Sequence, residues 1–129
     1  MKARKVDFDL DRIVTAGNTC VFKLNFNDGT TAKTPVSQTG EDFFYTMKES
    51  KSDTDANALV QIDPAAVVIQ NSGASGGVDD QVVITLTGTH TDQAAGEYYQ
   101  DIKNIDGSVV LTIGAGVMTI NTGVTLRTS

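Results

Sequence analysis

Ala95-Gly96-Glu97-Tyr98-Tyr99-Gln100-Asp101-Ile102 opens the stretch that decides the fold. It is followed by the turn Asp106-Gly107 and the run Val109-Val110-Leu111-Thr112-Ile113. The glycine pair of Gly114-Ala115-Gly116 and the run Val117-Met118-Thr119-Ile120 complete it. β-Branched and aromatic residues punctuated by Gly and Asp-Gly predict three antiparallel strands joined by hairpins, one turn at Asp106-Gly107 and another at Gly114–Gly116. On these strands Tyr98, Gln100 and Ile102 share one face, as do Val109, Leu111 and Ile113, and then Met118 and Ile120. Gln100 stands out, because an amide among apolar neighbours needs hydrogen-bond partners.

The same rhythm extends upstream. Cys20, Phe22, Leu24 and Phe26 fall on one face and Thr19, Val21, Lys23 and Asn25 on the other, and Asn27-Asp28-Gly29 closes the run with hairpin-turn chemistry. Val6, Phe8 and Leu10 alternate with Asp7, Asp9 and Asp11. That pattern predicts a strand with one wet, charged face, suited to a sheet edge. Phe43 to Lys48 has high β-propensity. Ala58 to Ile62 and Ala66 to Ile69 flank the break at Asp63-Pro64. Val82, Ile84 and Leu86 face inward from another strand, and Val124-Thr125-Leu126 reads as a short last one.

Residues 30–41 read as a loop or weak edge strand. Residues 49–57 read as a surface loop with capacity for a helical turn, and residues 71–77 as a flexible glycine-rich loop. The expected fold is all-β, an immunoglobulin-like antiparallel β-sandwich of about seven to nine strands. Residues 1–129 form a single domain, with residues 1–14 its N-terminal edge strand or arm. The Cys–Trp–Cys core of antibody domains is absent, since the chain has one Cys and no Trp.

Bulk composition narrows the function. A chain of 129 residues buries roughly two thirds of its unfolded surface, enough for a core without disulfides or metal. The net charge of −6, with ten scattered basic residues, has the wrong sign for reading nucleic-acid phosphates. No apolar run approaches the roughly 18 residues of a membrane span. The basic start Met1–Lys5 runs into acidic residues, not into the apolar region of a signal peptide.

No constellation predicts catalysis. His90 lies in a polar turn and Cys20 on an inward strand face, with no orienting group between them. Ser72–Gly77 lacks the Lys-Ser/Thr of a phosphate-binding loop. Asp7, Asp9 and Asp11 do not continue as a calcium loop, because Arg12 and Asn18 occupy the positions of its Gly and Glu. No metal or cofactor is expected. The candidate interface residues are Asp7, Asp9 and Asp11 on the N-terminal strand, Asp53 and Asp55 in the polar loop, and Tyr99, which faces away from Tyr98.

Several motifs carry a family likeness. They are Tyr45-Thr46-Met47-Lys48 followed by Ser50–Ala56; Ala95 to Ile102; Asp106-Gly107; Gly114 to Ile120; and Val124-Thr125. In order and spacing they resemble the immunoglobulin-like N-terminal domain of phage baseplate upper proteins and related small tailed-phage virion proteins. The resemblance covers about residues 15–127. Gly17-Asn18-Thr19 stands where these domains tend to carry Gly-Asp-Thr, with Asn18 in place of the acid, and the chain reads as the domain alone.

The resemblance implies a structural virion protein with no catalytic residues to transfer. Its place would be the tail, baseplate or fibre attachment region, its partners other phage structural proteins and copies of itself in a symmetric assembly. Capsid decoration or a neck position is the alternative. A carbohydrate-binding module for host glycans is the second alternative, for which Tyr99 and Phe44 would need to be exposed together.

Overall fold

Cys20, Phe22, Leu24 and Phe26 are all buried, while Val21, Lys23 and Asn25 between them are exposed. This alternation is the physical basis of β3 (Cys20–Asn27), because successive side chains of a strand point to opposite faces. In the computed structural model, which describes residues 5–6, 8–73, 77–106 and 108–122, the same alternation recurs in β7 (Gln81–Leu86). It recurs again in β8 (Gly96–Asp106), where Tyr98, Gln100, Ile102 and Asn104 point inward. The faces expected from the sequence hold in all three strands.

The protein is an all-β sandwich. One sheet has the order β1 (Lys5–Val6), β3, β7, β6 (Val68–Gln70), with every neighbour antiparallel. The other has the order β2 (Arg12–Thr15), β9 (Val109–Asn121), β8, β4 (Asp42–Lys48), β5 (Val60–Ile62). Its pairs are antiparallel apart from β2 with β9, which run parallel. Between the sheets Phe22 of β3 stacks on Tyr45 of β4 at 5.8 Å between ring centres. Phe26 meets Phe43 at 5.6 Å, and Phe8 closes on the edge of Phe22 at 6.0 Å. Such pairs add to the apolar burial that drives the two sheets together.

Four expectations are corrected. Gly114–Gly116 is not a turn: β9 runs through it as one strand, with a bulge where Ile102 pairs with Gly114 and Lys103 with Thr112. Three strands and two hairpins are therefore two strands and one hairpin. That hairpin continues beyond the sandwich, so Val109 and Leu111 are exposed and do not join the core.

Asn27-Asp28-Gly29 does turn, with Gly29 at φ 79° and the Asn27 and Asp28 carboxamide and carboxylate accepting the N–H of Gly29 and Thr30. It closes only a short loop through an isolated antiparallel bridge between Asn27 and Pro35. This is not a hairpin of two named strands, since β3 pairs with β7 and the chain then crosses to β4 in the other sheet. Finally, residues 6–11 are not one strand. β1 borders the first sheet, residues 8–11 cross over, and β2 borders the second. An edge position is correct for both pieces, and Leu10 is buried as its periodicity predicts.

Residues 49–57 form a loop with a single 3-10 turn at Asp55–Asn57. The expected strand at 124–126 lies outside the described residues, as do residues 74–76 of the glycine-rich loop. The base of that loop is held by buried Asp80, whose carboxylate accepts the backbone N–H and hydroxyl of Ser72 at 2.9 and 2.8 Å.

Candidate functional site

Odd-numbered residues of β8 and even-numbered residues of β4 face outward from the five-stranded sheet, and register brings them together. Tyr99 pairs with Lys48, Asp101 with Thr46 and Lys103 with Phe44. The Thr46 hydroxyl donates to Asp101 at 2.7 Å. Lys51 reaches over the Tyr99 ring at 5.2 Å and Lys103 lies 5.9 Å from the Phe44 ring, both within cation–π range.

Asp55 arrives from the polar loop and bridges two strands. Its carboxylate lies 2.7 Å from Lys48 Nζ and 3.0 Å from Lys103 Nζ. Hydrogen bonds from these two lysines hold the Asp55 carboxyl below its ordinary pKa, Lys48 being the larger cause. Beside them a cleft of about 350 Å³ is lined by Lys48, Lys51, Tyr99, Asp101 and Val117. A second, of about 550 Å³, continues past Val117 to Ile13, Glu97 and Thr119. This outer face offers aromatic edges, lysine charge and apolar patches, which suit binding.

The expected interface residues divide between two places. Asp55 and Tyr99 share the outer face. Asp53 is near them in sequence but turned to its own loop, accepting the Ser50 N–H at 3.1 Å. Asp9 and Asp11 belong to the crossover: Asp9 accepts the Asp11 N–H at 2.9 Å, and Asp11 accepts the Val117 N–H of β9 at 2.8 Å. Asp11 thus caps a strand edge. Asp7 lies outside the described residues. Tyr99 and Phe44 are on the same face, each half-buried beneath a lysine.

His90 and Cys20 both sit in structural positions. The His90 ring accepts the Thr87 N–H at 3.0 Å and so caps the one-turn helix α1 (Gly88–Thr91). Cys20 is buried, which pushes its thiol pKa up, with Arg12 opposing the shift more weakly.

The structure supplies the partners of two inward residues of β8 that the sequence does not name. Gln100 is buried with both ends of its amide bonded: the Tyr45 hydroxyl donates to its Oε1, and its Nε2 donates to the Leu10 carbonyl. The amide that looked misplaced ties β4, β8 and the crossover together. Tyr98 is more than core packing, because its hydroxyl donates to the Ala94 carbonyl at 2.6 Å, fastening the entry to β8. A tyrosine just after a Gly-containing turn, two residues before an inward polar position, was the available signal.

Among the described residues no helix is long and apolar enough to cross a membrane, and no three His, Cys, Asp or Glu residues gather as metal ligands. In comparisons with known proteins, no family model and no curated protein matches the chain.

Proposed function

We propose that this chain is an immunoglobulin-like assembly module of a tailed-bacteriophage particle, acting through protein–protein contacts in the tail, baseplate or fibre attachment region. The observation that carries the immunoglobulin-like part of the reading is the Tyr98–Ala94 hydrogen bond within this strand order. Lettered in chain order as A, A′, B, C, C′, D, E, F and G, the sheets read A-B-E-D and A′-G-F-C-C′. Immunoglobulin sandwiches share that A-B-E-D and G-F-C arrangement, together with a tyrosine at the start of strand F bonded back to the chain upstream.

The centre of the sandwich supports the same reading. Where antibody domains join strands B and F by a disulfide under a Trp from strand C, this chain has Phe22 on B, Tyr45 on C and Gln100 on F. Tyr45 stacks on Phe22 and donates to Gln100, so three strands are linked without sulfur. Gln100 follows Tyr98 by two residues, the spacing of the second cysteine from the corner tyrosine.

The phage assignment itself comes from the motif resemblance over residues 15–127, an argument by analogy of fold and motif. The glycan-binding alternative gains less support, because a lysine over Tyr99 and another over Phe44 occupy the ring faces on which a sugar would stack. Capsid decoration or a neck position uses the same fold and is separated by location alone.

The test is gold labelling of intact particles with an antibody to this protein, read by electron microscopy. Label at the tail tip or fibre base is the expected result. Label over the capsid would move the function to shell stabilisation, and particles free of the protein would overturn the virion assignment.

A further inference from the structure

Exposed sheet edges invite pairing with other strands unless they are short, charged or interrupted by proline. Four borders of this sandwich are short: β1 at Lys5–Val6, β2 at Arg12–Thr15, β5 at Val60–Ile62 and β6 at Val68–Gln70. β9 is different. β2 covers it only from Met118 to Asn121. The crossover then caps Val117 through Asp11 and lies against Gly116. From Val109 to Ala115 no described strand borders β9 on the side away from β8.

The composition of this uncovered edge is unusual. From Gly107 through Leu126 the chain contains no charged residue and no proline. Val109, Val110 and Leu111 are 51%, 54% and 37% exposed. The bulge at Ile102/Lys103 interrupts the pairing near Ile113 and leaves Val109–Thr112, three of its four residues β-branched, as a regularly paired segment on the free side of the hairpin.

We propose that Val109–Thr112 pairs antiparallel with the same segment of a second copy of this chain, joining two five-stranded sheets across a two-fold axis. Charge selects the partner. A chain of net charge −6 repels its copies over most of its surface. At this edge two copies can meet without like charges opposite one another, and it offers a longer unpaired strand than the three-residue β5 and β6 edges, which are also uncharged. A two-fold contact uses one patch on both partners, so an uncharged antiparallel edge is self-complementary. The contact deepens the assembly reading by naming its self-interface. It rests on that reading for its purpose only, since the geometry is the same wherever the protein resides.

The test is sedimentation velocity of the full chain at rising concentration. The chain is expected to move from monomer to dimer. Val110→Lys with Leu111→Lys, and separately Val110→Glu with Leu111→Glu, should each weaken the dimer by about tenfold or more. Both positions are exposed, so circular dichroism should stay unchanged, as should unfolding midpoints taken at concentrations low enough that the chain is monomeric. Mixing the lysine and glutamate variants should restore the dimer, which a general loss of apolar surface would not do. A monomer at every concentration, or a dimer unaffected by the paired substitutions, would overturn the proposal. A monomeric chain that still labels particles would leave the virion reading standing without this contact.

Discussion

Tyr98 and Gln100 show how much one residue contributes when its polar end has a fixed partner. Tyr98 is nearly buried and spends its hydroxyl on the Ala94 carbonyl. Replacing it with Phe keeps the ring and removes one hydrogen bond, so Tyr98→Phe should cost about 1 kcal/mol in denaturant unfolding. A change near zero would mean that the corner bond does not hold the entry to β8. Gln100 was legible as an anomaly, because strand parity places it inside. Its partners were not legible, since Tyr45 and Leu10 lie 55 and 90 residues away in the chain. Tyr45 pays for its own burial in the same bond, and its pKa is pushed well up, chiefly by desolvation.

At the scale of elements, the cross-strand network on the outer face joins β4, β8 and the loop carrying Asp55. The carboxylate takes hydrogen bonds from both lysines, which lowers its pKa in the folded protein. A lowered folded pKa means that the stabilisation is fully present above the unfolded pKa and is lost as pH falls through the folded value. Because Asp55 is 39% exposed, screening limits the effect to at most about 1 kcal/mol. The stability difference between the wild type and Asp55→Asn should therefore hold at neutral pH. It should fade below about pH 4, where free carboxylates protonate. Urea midpoints measured across that range check it; a difference independent of pH would mean that the Lys48–Asp55–Lys103 bridge adds nothing.

Of the strands in this network, β8 is readable from period-two alternation and β4 from its run of β-formers, both local properties of the chain. The loop residue that completes it was named as an interface candidate, but its two lysine partners depend on how β4 and β8 align.

At the scale of the whole molecule, the chain crosses between sheets at residues 8–11, and one glycine makes room for it. A side chain at Gly116 would lie 2.9 Å from the backbone of Leu10 and Asp11, closer than packed atoms tolerate. Gly116→Ala should destabilise the protein by about 1–3 kcal/mol and loosen the crossover. Faster amide exchange at Val117, whose N–H bonds Asp11, is the specific readout. Unchanged exchange at Val117 would show that the crossover does not depend on this glycine.

The sequence read Gly114–Gly116 as a turn because glycine most often marks one. The fold uses Gly116 for close approach, a need created by residues more than a hundred positions away. What the sequence alone determined is the all-β class, the inward faces of β3, β7 and β8, and the burial of Leu10. All of these follow from alternation between neighbours in the chain. Only the tertiary structure decided that β9 is one strand, that Val109–Leu111 projects into solvent and that β2 runs parallel to β9. It also decided that Gln100 anchors a crossover, because strand order and register are set by contacts between segments that the chain brings together only when both sheets close on one core.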